Sequence, residues 1–199
     1  MTRSSVLLAC AAAGLALAGC ASTRLDAQWL DPQFAGRSLA GSKVLVVCDA
    51  ADTAVKRVCQ ERMAAEVVAL GATALPGPEQ GGTEAYLGAA RTAGAKALLV
   101  ASVAPAANVV SGGPSISFGL GGFNWGGGSG VGGGVGVSMP VGGARVQTAY
   151  GANTSLTDVA TGKLMWTGKA STPAQDDLGA QIGELSRATL GAAQKAGLF

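Results

Sequence analysis

Lys43-Val44-Leu45-Val46-Val47-Cys48-Asp49, with the stretch from Ala50 to Gly71 behind it, decides how this chain folds. Val44, Leu45, Val46 and Val47 leave no polar position to face water, and three of the four are β-branched. Such a run suits a strand buried on both faces, as in a parallel sheet covered by helices. Asp52 or Thr53 then offers an N-cap. Val55, Cys59, Met63, Val67 and Leu70 follow at helical spacing, with Lys56, Arg57, Gln60 and Glu61 off that stripe. Gly71 suits the position just past a helix end.

The pattern repeats downstream. Ala72 to Leu75 predicts a short strand stopped by Pro76-Gly77-Pro78. Thr83 is the expected cap of a second helix, with Tyr86, Leu87 and Ala90 inward and Gly94 at its end. Ala97 to Val103 is the next buried strand, which completes a parallel βαβαβ unit with right-handed crossovers. Upstream, Leu25 to Trp29 reads as a first short strand and Asp31 to Gly36 as a turn. Later, Val146 to Thr157 and Lys163 to Ala170 predict an antiparallel hairpin around Asp158 to Gly162. Its first strand carries Ala149, Thr154 and Leu156, and its second carries Leu164 and Trp166 on one face. Thr172-Pro173 ends that strand, and Asp176 or Asp177 opens a last helix striped by Leu178, Ile182, Leu185, Thr189 and Ala193. The expected fold class is α/β (α+β): a single domain over residues 25–199, in two or three layers. Its mixed sheet is a βαβαβ half followed by an antiparallel hairpin and a C-terminal helix.

Composition narrows the function. The 199 residues are 48% hydrophobic and 13% charged, with a net charge of +2, which argues against a basic nucleic-acid-binding face. Histidine is absent, so His-based triads, proton shuttles and metal ligands are excluded. No nucleophile–base pair occurs at a recognisable spacing. The expectation is a protein that is not an enzyme and uses no cofactor and no metal.

Residues 112–143 hold 15 glycines and no charged residue. Ile116, Phe118 and Leu120 alternate there, Phe123 and Trp125 follow, and Val135, Val137, Met139 and Val141 alternate again. Period two suggests strands, while so much glycine weakens them. Three readings stand: a mobile spacer between two strands, a hairpin that meets a partner or its own copies, and membrane contact by alternating apolar strands. Phe118, Phe123, Trp125 and Val137 are the expected interaction residues. Gly128-Ser129-Gly130-Val131-Gly132-Gly133 fits a dinucleotide-binding fingerprint in letters only, since it follows no first strand and opens no helix. Gly36 and Gly41-Ser42-Lys43 resemble a phosphate loop faintly, but they precede their strand.

Ligands of parallel sheets bind beyond the carboxyl ends of the strands. Asp49, Asp52 and Glu79 lie there and could hold a cation or a polar ligand; the competing reading is helix capping and loop solvation. Cys48 and Cys59 form either a disulfide or two buried thiols; a helix packed on a sheet commonly keeps its backbone beyond disulfide reach.

Residues 1–19 have the outline of a secretory signal. Arg3 supplies the positive charge, and the apolar run from Val6 to Ala18 is shorter than the roughly 20 residues of a membrane span. Leu17-Ala18-Gly19-Cys20 resembles the bacterial lipobox. That resemblance implies cleavage before Cys20, diacylglycerol on its sulfur and a further acyl chain, such as palmitate, on its amino group. Ala21 in place of Asp favours sorting to the outer membrane, facing the periplasm. Residues 20–24 would then form a lipidated N-terminus and tether that reaches less than about 20 Å. In that setting the chain meets the membrane through its lipid anchor, and an envelope protein or a second copy is the other expected partner. Together with Trp29-Leu30-Asp31-Pro32, the Lys43 to Cys48 strand, Ala95 to Val100 and Thr157 to Trp166, these features resemble Gram-negative outer-membrane lipoproteins. The domain layout is similar to the TolB amino-terminal and curli-export-lipoprotein type. The resemblance implies a periplasmic α/β binding or structural module, an export-assembly subunit, or a small-ligand module, and it carries over no functional residue. The glycine-rich insertion at 112–143 departs from it.

Overall fold

A computed structural model describes residues 22–111, 115–118, 137–140 and 145–199, with 107–111, 115–118, 137–140 and 145–146 described by their backbones. The signal region, Cys20, Phe123, Trp125 and the 128–133 glycine motif lie outside the described residues.

The parallel core forms where the apolar runs place it. Strand β2 (Lys43–Asp49) pairs in parallel with β3 (Thr73–Pro76) on one side and β4 (Ala97–Ser111) on the other. Strand β7 (Arg145–Asp158) runs antiparallel to β4, β8 (Leu164–Thr172) antiparallel to β7, and β1 (Arg24–Leu30) antiparallel to β8. The result is a mixed six-stranded sheet in the order β1-β8-β7-β4-β2-β3.

Helix α1 (Thr53–Ala69) and helix α3 (Leu178–Lys195) cover one face. Val55, Cys59, Met63 and Val67 from α1 and Ile182, Leu185 and Leu190 from α3 are buried there against Val44, Val46, Leu99, Leu156 and Trp166. Helix α2 (Thr83–Thr92) covers the other face of the parallel half only, with Tyr86, Leu87 and Ala90 against Leu45, Val47 and Leu98. The parallel half is therefore three layers deep and the antiparallel half two. On the half without a helix the outward positions are polar or exposed, among them Thr167, Lys169 and the 49%-exposed Trp29.

Three local expectations need correction. Gly82, not Thr83, occupies the N-cap of α2, and no side chain caps that helix. Leu164 is exposed while Met165 and Trp166 are both buried. The cause is a register break: Thr157 faces Leu164 and Leu156 faces Trp166, so Met165 is an extra residue that turns inward. Gly168 makes room for Trp166, since a methyl group added there would overlap the indole ring. Finally, β4 does not stop at Val103 but continues through Pro105 to Ser111.

Candidate functional site

Past Ser102 the strand β4 has no paired residue on β2, and before Tyr150 the strand β7 has none on β8. The two continue together as a ribbon, Ala107 opposite Ala149 through Ser111 opposite Arg145. Pro105 is tolerated because it sits where β4 has lost its β2 neighbour and the register slips by one residue. Further along the chain, β5 (Ser115–Phe118) pairs antiparallel with β6 (Val137–Pro140). Ser115 faces Pro140 and Phe118 faces Val137, one residue out of the register in which Ala107 faces Ala149 and Ser111 faces Arg145, and this ladder forms a separate two-stranded sheet. Residues 105–111 and 145–149 thus form a two-stranded arm beyond the rest of the six-stranded sheet. Phe118 and Val137 face each other in the β5–β6 ladder.

Polar side chains brace the base of the arm. Gln181 of α3, 1% exposed, donates from Nε2 to Thr148 O at 2.8 Å and to Pro173 O at 2.7 Å. Gln147 Nε2 donates to Asp176 Oδ1 at 2.9 Å, and Asp177 Oδ1 caps α3 by accepting from Ala180 N at 3.0 Å. Beside them, Thr23 Oγ1 donates to Glu184 Oε2 at 2.6 Å and lies 2.8 Å from Thr172 Oγ1. Gln175 Nε2 donates to the same carboxylate oxygen at 3.0 Å. The Thr23 and Gln175 hydrogen bonds hold the Glu184 carboxyl below the usual carboxylate range, helped by Arg187 and opposed by partial burial. An open hollow of about 500 Å³ adjoins this group, lined by Ser22, Thr23, Gln175, Glu184, Arg187 and Ala188.

The carboxyl ends of β2 and β3 lie at the same end of the sheet as the arm, Asp49 being level with Ser102. Asp52 is the N-cap of α1, accepting from Ala54 N at 2.7 Å and Val55 N at 3.0 Å. Glu79 contributes its main-chain oxygen to the Lys56 ammonium, and Asp49 stays exposed. Among the described residues no three acidic or thiol groups gather as a metal site. A cleft of about 200 Å³ does open here, but Lys56, Arg57 and Gln60 line it with Glu79, and neither Asp49 nor Asp52 does. Cys48 and Cys59 are joined in a disulfide with their Cα atoms 5.9 Å apart. Beside the disulfide, Gln60 of α1 bonds the edge of β2, where Gly77 N also donates to Val46 O at 2.9 Å. The Gln60 Oε1 accepts from Cys48 N at 2.8 Å and its Nε2 donates to Val46 O.

Sequence reasoning missed Gln60 and Gln181 as positioning residues. Gln181 had a visible signal, a polar residue three after Leu178 and four before Leu185 on an otherwise apolar helix face. Gln60 had none, since it lies beside the stripe.

A helix–sheet–helix body on a mixed six-stranded sheet, with one hairpin carried far beyond it, defines the class of fold. No protein-family model and no curated protein matches the sequence. Among solved structures, the PelC dodecamer from Paraburkholderia phytofirmans is similar with a TM-score of 0.50 and 13% identity, over 83% of this chain and 95% of that one. Lipoprotein GNA1162 from Neisseria meningitidis is similar with a TM-score of 0.39 and 15% identity, over 77% and 99% of the two chains. TolB from Acinetobacter baumannii gives a TM-score of 0.37 and 10% identity over 89% of this chain and 31% of that one. At such identities the PelC likeness is one of fold. Among the described residues no helix is long and apolar enough to cross a membrane.

Proposed function

We propose that this protein is a non-catalytic, lipid-anchored lipoprotein of the outer membrane. Its α/β body is a rigid mount, and its hairpin arm is the element that makes contacts. The observation that carries the reading is the arm itself. Two strands outrun both of their sheet neighbours, and the Gln181 and Gln147 side chains at their base hold them to α3 and the segment before it. The lipobox at Leu17 to Cys20 supports the anchor, and the fold shared with PelC suits an envelope module. Labelled palmitate should enter the native chain and not Cys20→Ser, and the native chain should sediment with outer-membrane vesicles. Equal labelling of both proteins, or none of either, overturns the anchor.

A second reading is an oligomeric, membrane-associated assembly subunit. It is favoured by the solved PelC chain, which forms a dodecamer on this fold. On this reading the full chain in detergent has a large, discrete native mass that falls when residues 112–143 are deleted. An unchanged mass after that deletion removes the arm from the assembly.

A further inference from the structure

The cleft beyond β2 and β3 opens where the connections of the sheet part. The chain leaving β2 enters α1 on one face, and the chain leaving β3 enters α2 on the other. The two strands are parallel neighbours, Lys43 opposite Thr73 through Val46 opposite Pro76. Adjacent parallel strands whose helices depart to opposite faces leave a crevice beyond their carboxyl ends, and open α/β sheets bind their ligands there. In this chain the crevice holds about 200 Å³. Helix α1 lines it with Thr53, Lys56, Arg57 and Gln60, and the segment from Pro76 to Glu79 lines the rest.

Both linings are fixed in place. Gly77 N donates to Val46 O at 2.9 Å, and a methyl group added at Gly77 would overlap Val47 Cγ2, so the Pro76-Gly77-Pro78 segment lies close against β2. Gln60 bonds Cys48 N and Val46 O, and the Cys48–Cys59 disulfide ties the same turn of α1 to β2. The Lys56 ammonium joins the two linings through the main-chain oxygen of Glu79. A cleft shaped before its ligand arrives loses little binding energy to ordering its walls.

The charge of the cleft is less expected. Its lining carries two cations, Lys56 and Arg57, against the one carboxylate of Glu79. Among the described residues the Arg57 guanidinium makes no ion pair and no hydrogen bond, and the Thr53 hydroxyl makes no hydrogen bond. The first amides of α1 are not the attraction, because Asp52 already accepts from Ala54 N and Val55 N. A free guanidinium presents a planar fork of donors that matches a carboxylate or a phosphate. The rings of Pro76 and Pro78 line the same cleft without a backbone donor. The volume lies below the roughly 300 Å³ at which pockets for drug-sized ligands begin, so the occupant is small.

We infer that this cleft binds a small organic anion, its carboxylate or phosphate head on Arg57 and Thr53 beside Lys56 and its short apolar body against Pro76 and Pro78. The site takes the opposite charge from the cation that Asp49, Asp52 and Glu79 suggest in the sequence. It depends on neither the lipid anchor nor the arm.

Ligand-observed NMR on the full chain, in micelles of a deuterated neutral detergent, tests this with three short-chain probes: butanoate, butyl phosphate and butanamide. Saturation transfer should reach butanoate or butyl phosphate, the stronger of the two naming the head group, and should not reach butanamide. Arg57 is exposed and lies off the buried stripe of α1, so Arg57→Gln keeps the fold and should weaken the anion about tenfold. Glu79→Gln removes the opposing carboxylate and keeps the main-chain oxygen that Lys56 uses, and it should strengthen binding a few-fold. No transfer to either anion at millimolar concentration overturns the inference. Equal transfer to butanamide overturns it too, since charge then plays no part. Binding that Arg57→Gln leaves intact places the anion elsewhere and overturns it. An equal loss in Arg187→Gln, on α3, marks a diffuse charge effect and also overturns it.

Discussion

The two ends of the sheet are finished by different means. At the end away from the arm, backbone meets backbone at most turns, and side chains add to it at Asp158, which accepts from Thr161, and at Arg91, which donates to Val159 O. Gly41 N donates to Gly71 O, Thr73 N to Ser42 O and Lys96 N to Lys43 O, each at 2.8 Å, and Val159 N donates to Lys96 O at 3.0 Å. Positive-φ glycines such as Gly71 and Gly162 make those turns tight. At the arm end, side chains do the closing: Gln60 on the edge of β2, Gln181 on β7, Asp52 and Asp177 on helix N-termini, Thr23 on Glu184, and the Cys48–Cys59 bond. The difference teaches that a fold can place its sequence-tolerant closure at one end and its sequence-specific closure at the other. The specific end is the one that carries the arm.

Substitutions can break or sharpen this comparison. Trp166 sits mid-sheet and belongs to neither end, so Trp166→Ala sets the ceiling; denaturant unfolding should show a loss of about 3–5 kcal/mol. At the arm end, replacing Cys48 and Cys59 together by alanine should cost about 2–3 kcal/mol, and reductant should reproduce the loss in the native chain. Gln181→Ala strands two carbonyl oxygens and should cost about 1–3 kcal/mol, with faster amide exchange around Thr148. Ser42→Ala, at the backbone-stitched end, should stay within about 0.5 kcal/mol; equal losses at Ser42 and Gln181 would end the distinction. Asp52→Ala should cost about 1 kcal/mol through the lost cap. The smallest effect is pH-dependent. Because hydrogen bonds lower the folded-state pKa of Glu184, its contribution is fully present above the unfolded glutamate value of about 4.3. It is lost as pH falls through the folded value. The melting-temperature gap between native protein and Glu184→Gln should therefore be constant near neutrality and close in acid.

What the sequence disclosed follows the same division. The buried strand at Val44 to Val47, the stripe from Val55 to Val67 and the turn glycines are local patterns, and the structure places them where the spacing predicts. The closures at the arm end join residues far apart in the chain, such as Gln181 with Thr148, and no local period records them. The arm was hidden for another reason. The strand expected to end at Val103 runs on through Pro105, because a ribbon without sheet neighbours has no central ladder for a proline to break. Met165 shows the limit of strict alternation: Leu164 and Trp166, expected on one face, are separated by one extra residue, and Met165 turns inward with Trp166.

The sheet's outer strands carry a last consequence. Strand β3 is four residues long and ends at Pro76, which has no amide hydrogen to offer, before Gly77-Pro78 turns away. Strand β1 is interrupted by a bulge at Asp26, whose carboxylate accepts from Arg24 and Ser171 at 3.1 Å. A short margin with proline and a kinked, charged margin both resist the addition of a foreign strand. Both margins are therefore poor templates for edge-to-edge pairing between copies of this chain.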